Sequence, residues 1–111
     1  MHMGSLAIVG AQAPKNFLHL VINNGAHDSV GGQPTAAAHI DIAAIATACG
    51  YRHAESVSTL EQIRTAVVAS RHREGPVMVE VRVASEPRTR AGRPTLTPAD
   101  SKGRFMAALL E

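Results

Sequence analysis

The apolar run Phe17-Leu18-His19-Leu20-Val21-Ile22 opens directly into Asn23-Asn24-Gly25-Ala26-His27-Asp28-Ser29-Val30-Gly31-Gly32-Gln33-Pro34-Thr35, and this junction constrains the fold more than any other stretch. A short apolar run bounded by turn residues reads as a buried strand. A strand that ends in two amides and a glycine-rich loop has the layout of a ligand site. In open α/β sheets, ligands bind beyond the carboxyl ends of the strands. Gly25, Gly31 and Gly32 permit positive φ and close approach of backbone to a ligand. Asn23 and Asn24 put neutral oxygen and nitrogen groups at the same edge. Asn24-Gly25 alone is also a plain turn former.

The rest of the chain alternates helix and strand signals. Residues His2 to Gln12 read as a helix with Leu6, Val9 and Ala13 on one face; Gly4 and Gly10 weaken it. Asp41 caps a second helix, Ile42 to Cys49, closed by Gly50 at C′. That helix is apolar nearly all round, which predicts burial among other elements. Tyr51 to Ala54 reads as a short connecting strand or an extended loop. Ser58 and Glu61 fit a capping box for a third helix, which runs through Leu60, Ile63, Ala66 and Val67 to about Arg71 and stops before Gly75-Pro76. Val77 to Val83 is the second clear strand, with valines alternating against Met78, Glu80 and Arg82, so one face is apolar and the other mixed. Residues Ser85 to Pro94 read as an exposed connection. Thr97 caps a last helix with Pro98 at its first position, and Phe105, Met106, Leu109 and Leu110 give it an apolar face. Strands alternating with helices predict an α/β fold with parallel strands. The expected architecture is a partial three-layer parallel sheet with flanking helices, and an incomplete sheet leaves an open edge for association.

Composition narrows the function classes. At 111 residues the chain holds one small domain, and much of its apolar content is alanine with 3% aromatics, so a free-standing core would be modest. The net charge of +2 comes without a dense block of like charge, so no nucleic-acid partner is expected. The single Cys49 excludes an intrachain disulfide, suits a reducing compartment and reads as a small core residue. No stretch has the pattern of a secretory signal or approaches the ~20 apolar residues of a membrane span, and a soluble cytoplasmic protein is expected. The six histidines lack metal-site spacing, which argues against zinc.

The string NNGAHDSVGGQPT, the segment Asp41-Ile42-Ala43-Ala44-Ile45-Ala46 with Cys49-Gly50-Tyr51, and Gly92-Arg93-Pro94-Thr95-Leu96-Thr97-Pro98 with Lys102, Phe105 and Met106 together resemble the phosphonopyruvate decarboxylase type of thiamine-diphosphate enzyme. The resemblance covers nearly the whole chain, residues 1 to 111, as the C-terminal portion of a diphosphate-binding domain. The family's motif opens in Gly-Asp-Gly, which this sequence lacks, and closes in the Asn-Asn pair. Thiamine diphosphate and Mg²⁺ are the cofactors that the resemblance implies. Carried over, Asn24 gives its amide oxygen and Ala26 its backbone carbonyl to the metal, and Asn24, Gly25, Ala26, His27 and Ser29 form the cofactor-binding set. Mg²⁺ takes an octahedral oxygen shell, which an amide and a carbonyl suit. The family's aspartate ligand and the glutamate that activates the cofactor across a dimer interface have no match here, and no catalytic residue is assigned.

By resemblance the substrate is a small 2-oxo acid, 3-phosphonopyruvate, and the product phosphonoacetaldehyde. A pyrimidine-binding domain, in cis or in trans, and a homo-oligomer are the expected partners. His27 and Asp28 are open to acid–base work or to a polar surface role. Ser29 and the amides around Gly31 and Gly32 suit a phosphonate or carboxylate. Arg88, Arg90 and Arg93 suit either a phosphonate or solvent. The rival enzymes are sulfopyruvate decarboxylase and acetolactate-synthase-like enzymes. A non-catalytic module that docks on a decarboxylase subunit is the alternative from another class. The chain alone is expected not to decarboxylate, and to fold poorly or self-associate.

Overall fold

A computed structural model describes residues 2–85 and 95–110. Helix α1 spans Gly4–Gln12, strand β1 Leu18–Asn23, the short strands β2 Ala26–His27 and β3 Gln33–Pro34, helix α2 Ile42–Ala48, strand β4 His53–Val57, helix α3 Leu60–Ser70, strand β5 Val77–Arg82 and helix α4 Pro98–Ala108. The main sheet has three parallel strands in the order β1-β5-β4, and β2 pairs antiparallel with β3. The expected parallel α/β sheet with helices on both faces is what forms.

Strand β5 is central. Val77, Met78, Val79, Glu80 and Val81 are each at most 6% exposed, so the mixed face is buried as completely as the apolar one. The reason is position, since a strand flanked on both edges and covered on both faces has no solvent side. On one face Met78 packs with Leu6 of α1, Ala46 of α2 and Tyr51. On the other, Val79 and Val81 pack with Val57 and with Ala66 of α3. Strand β4 is the third strand; the short strand read over Tyr51 to Ala54 forms at His53–Val57 instead, and its five residues pair in register with Val77 to Val81.

The connections follow local chemistry with some changes of register. Asp41 caps α2 by accepting from the Ala44 amide at 2.9 Å. Gly50 and Tyr51 close α2 in a Schellman pair, Gly50 N to Thr47 O at 3.0 Å and Tyr51 N to Ala46 O at 3.1 Å. Only Ala46 of α2 is fully buried, against the expectation of burial all round, because α2 lies on the outside of one layer. The capping box of α3 sits one residue later than expected. Thr59, not Ser58, is the cap, and Gln62, not Glu61, reaches back to the Thr59 amide at 3.1 Å. This register turns Ala66 and Ser70 inward.

Helix α1 begins at Gly4 rather than His2, and its Gly10 is required rather than tolerated. A Cβ there would land on the Cys49 carbonyl, 2.6 Å from its carbon, so only glycine lets α1 cross the end of α2. Thr97 caps α4 as expected, with Pro98 in the first turn. Phe105, Met106, Leu109 and Leu110 are 49–88% exposed, so the apolar face of α4 is uncovered among the described residues. Edge strand β1 likewise leaves Leu20 and Ile22 open. No helix among the described residues is long and apolar enough to cross a membrane. The expected exposed connection lies almost wholly outside the described residues, as do Arg88, Arg90 and Arg93.

Candidate functional site

The site forms where β1 and β5 end side by side. Asn23 is paired with Arg82, and the Val83 amide donates to the Asn23 carbonyl at 2.9 Å, carrying the ladder one step further. The chain then turns on two consecutive side-chain locks. Asn23 Oδ1 accepts from the Gly25 amide at 2.9 Å, and Asn24 Oδ1 accepts from the Ala26 amide at 3.1 Å. Each is an Asx turn, in which a short amide side chain stands in for backbone. Gly25 takes φ +69°, the left-handed value that this double turn requires.

The two asparagines have different anchors. Asn23 Nδ2 donates to Glu80 Oε1 at 2.6 Å, inside the sheet, where Glu80 is 0% exposed. Asn24 Nδ2 donates to Asp28 Oδ2 at 2.6 Å on the exposed side. The other Asp28 oxygen accepts from the Ser85 hydroxyl at 2.9 Å, which ties the loop to the segment after β5. The loop returns through the β2–β3 pair, with the Thr35 amide on the Gly25 carbonyl at 2.8 Å and the Gly32 amide on the His27 carbonyl at 3.0 Å.

A cleft of about 230 Å³ sits over this junction, lined by Asn23, Asn24, Gly25, Arg82 and Val83 on the sheet side and by Ala37, Ala38 and Ile40 opposite. It brings together two of the residues expected from the sequence, Asn24 and Gly25. Ala26 and His27 follow in β2 and Ser29 in the exposed turn Asp28–Val30, all outside its lining. Sequence reasoning placed Asn23 at the ligand edge without giving it a contact, and left out Glu80 and Arg82. The available signal was a carboxylate and a guanidinium spaced by two in a valine-rich strand, on the face that Asn23 shares. A larger hollow of about 440 Å³, beside β4 and α3, is lined by Glu55 and Glu61 without a cation, which disfavours an anionic ligand there.

The donor set at the double turn consists of oxygens. Asn24 Oδ1 uses one lone pair on the Ala26 amide and keeps a second, so it can ligate a hard cation without breaking the turn. Magnesium accepts such neutral oxygens and completes its shell with phosphate and water. Asn24 and Ala26 therefore fit a magnesium–diphosphate group in donor type, with Asp28 the adjacent carboxylate. No trio of His, Cys, Asp or Glu among the described residues is grouped for an all-protein metal site. Away from the cleft, Tyr51 donates to or accepts from His19 Nδ1 at 3.0 Å, and burial first, then the Cys49 thiol, pushes its phenol above the ordinary value.

Known proteins share this arrangement of sequence. The family model described as thiamine pyrophosphate enzyme, C-terminal TPP binding domain, matches residues 1–81, which include both cleft-forming strands almost to their ends. The chain is 42% identical over 107 residues to a phosphonopyruvate decarboxylase of Streptomyces viridochromogenes, covering 96% of this chain and 27% of that protein. It is 38% identical over 105 residues to the phosphonopyruvate decarboxylase of Streptomyces hygroscopicus, covering 95% and 26%. It is 35% identical over 109 residues to sulfopyruvate decarboxylase subunit beta of Methanococcus maripaludis, covering 98% and 58%. The chain thus spans about a quarter of the length of the phosphonopyruvate decarboxylases it matches. With a parallel sheet, an Asn-Asn turn at its carboxyl edge and a family match over most of its length, the chain belongs to the C-terminal TPP-binding domains of thiamine pyrophosphate enzymes, and its relatives are decarboxylases.

Proposed function

We propose that this chain is a single diphosphate-binding portion, residues 1 to 111, of a thiamine-diphosphate- and Mg²⁺-dependent decarboxylase that converts 3-phosphonopyruvate to phosphonoacetaldehyde and CO₂. The observation that carries the reading is the double Asx turn, which presents Asn24 Oδ1 at the carboxyl end of β1 beside the cleft. Asn24 and the Ala26 carbonyl hold the metal; Gly25, His27 and Ser29 complete the cofactor contacts. Thiamine diphosphate, when bound, supplies the electron sink that lets a 2-oxo acid lose CO₂. The chain's own contribution is to anchor the diphosphate and fix its position. A pyrimidine-binding domain or subunit supplies the other half of the site, the enzyme works in the cytoplasm as a homo-oligomer, and the chain alone gives no turnover.

A second reading, sulfopyruvate decarboxylase, is favoured by the similarity to that enzyme's beta subunit, of which the chain covers more than half. Both substrates are pyruvates with a tetrahedral anionic head. The test is a graft in which this chain replaces the matching C-terminal segment of the Streptomyces viridochromogenes relative. Aldehyde release from phosphonopyruvate, and much less from sulfopyruvate, is the expected result. Preference for sulfopyruvate supports the second reading, and a folded graft inert toward both contradicts the proposed role.

A further inference from the structure

We propose that Arg82, aligned by the buried carboxylate of Glu80, is a binding site for a tetrahedral oxyanion in the cleft. Glu80 is 0% exposed on the central strand, and its two oxygens are treated differently. Oε1 accepts from Asn23 at 2.6 Å, whereas Oε2 has no hydrogen-bond partner among the described residues. A buried, half-satisfied carboxylate is costly, and an isolated orphan oxygen calls for a reason. The nearest cation is Arg82, whose Nε lies 3.5 Å from Oε2, too far for a good hydrogen bond but close enough for the charges to orient each other.

Arg82 also lines the cleft and is the sole charged side chain among its described lining residues, with the side chain 54% exposed. A guanidinium is a planar fork with two donor edges. With Nε turned to Glu80, the terminal nitrogens remain for an acceptor in the cleft. Asn23 closes the arrangement from the neighbouring strand, since it is paired with Arg82 and bonded to Glu80. A planar fork held from behind suits bidentate recognition of phosphoryl, phosphonyl or sulfonyl oxygens. The identity of that ligand rests on the function proposed above, where the group is either the cofactor's diphosphate or the substrate's head.

The test uses the grafted enzyme with bare anions, without thiamine or metal, so its binding readout fails separately from turnover. Binding is followed by NMR through the Arg82 Nε–Hε signal and, in every variant, through the Gly25 and Val83 backbone amides of the cleft, during titration with methylphosphonate, methanesulfonate and pyrophosphate. A saturable shift is expected with at least one of them. Arg82→Lys should weaken that binding at least about tenfold, because the fork is lost. Glu80→Gln, checked for fold by circular dichroism, should weaken it several-fold by loosening the fork. A response to methylphosphonate or methanesulfonate but not pyrophosphate assigns the substrate's head group; the converse assigns the cofactor's diphosphate. No shift with any anion, or equal affinity in Arg82→Met, overturns the site. Equal affinity in a folded Glu80→Gln overturns the aligning role of Glu80.

Discussion

Replacing Asn23 with alanine should damage the fold far more than the same change at Asn24, although the two residues are adjacent and make similar turns. Asn23→Ala removes a charge-assisted hydrogen bond to a fully buried carboxylate and the lock on the Gly25 amide. A hydrogen bond to a charged group contributes about 1.5–3 kcal/mol, and leaving a buried charge without its partner costs about 3–5 kcal/mol. Glu80 has no second hydrogen bond to fall back on, since Oε2 is already orphaned. Relaxation toward Arg82 recovers part of the loss, so the expected cost is about 3 kcal/mol. Asn24→Ala breaks an exposed contact to Asp28 and one Asx lock, worth about 1 kcal/mol. Urea denaturation followed by circular dichroism measures both. The decisive comparison is Asn23→Ala in a Glu80→Leu background, where the charge is gone and the added cost should fall below about 1 kcal/mol. Equal costs at Asn23 and Asn24, or an Asn23→Ala cost unchanged by Glu80→Leu, would refute the reasoning.

Gly10→Ala should destabilise by about 1–3 kcal/mol despite alanine's better helix propensity, because the new Cβ meets the Cys49 backbone, which no rotamer change relieves; a gain in melting temperature would contradict the close crossing. Ala13→Gly should stabilise by roughly 0.5–1 kcal/mol, since Ala13 closes α1 at φ 44° and ψ 51°; a loss in urea midpoint would count against this strain. The hydrogen bond from Lys15, with the charges of Arg52 and Lys15, holds the Glu74 carboxyl below its ordinary 4.5. Its folded value is therefore lower than its unfolded one, so its stabilising effect is full above about pH 4.5 and is lost as pH falls through the folded value; a Glu74 carbon-13 titration should move up in Lys15→Met, and an unmoved curve would refute the pairing.

Much of the layout was legible because it rests on local rules. The strand into Asn23-Asn24, the Asp41 and Thr97 caps and the Gly50 closure each depend on residues within one turn of one another. The site was legible only in its loop half. Asn24 and Gly25 carry their chemistry in sequence, whereas Glu80 and Arg82 become site residues only when β5 inserts beside β1, which brings Asn23 onto Glu80, 57 residues away along the chain. The same insertion hides both faces of β5, which no alternation pattern can tell from a half-buried strand. Strand β4 was obscure because its polar residues owe their extended form to the neighbour they pair with rather than to propensity. The α3 cap slipped by one because Ser58-Thr59-Leu60-Glu61-Gln62 contains two overlapping boxes, and packing of Ala66 and Ser70 chose between them.

The most direct measurement of the central claim is calorimetric titration of thiamine diphosphate into the grafted enzyme, with and without Mg²⁺, for the parent chain and for Asn24→Ala. Binding in the parent that requires Mg²⁺ and weakens at least about tenfold in Asn24→Ala, with the fold intact, is the predicted result, as expected when a metal ligand is removed. Equal affinity in Asn24→Ala, or binding indifferent to Mg²⁺, would contradict the claim that the turn after β1 anchors the cofactor's diphosphate.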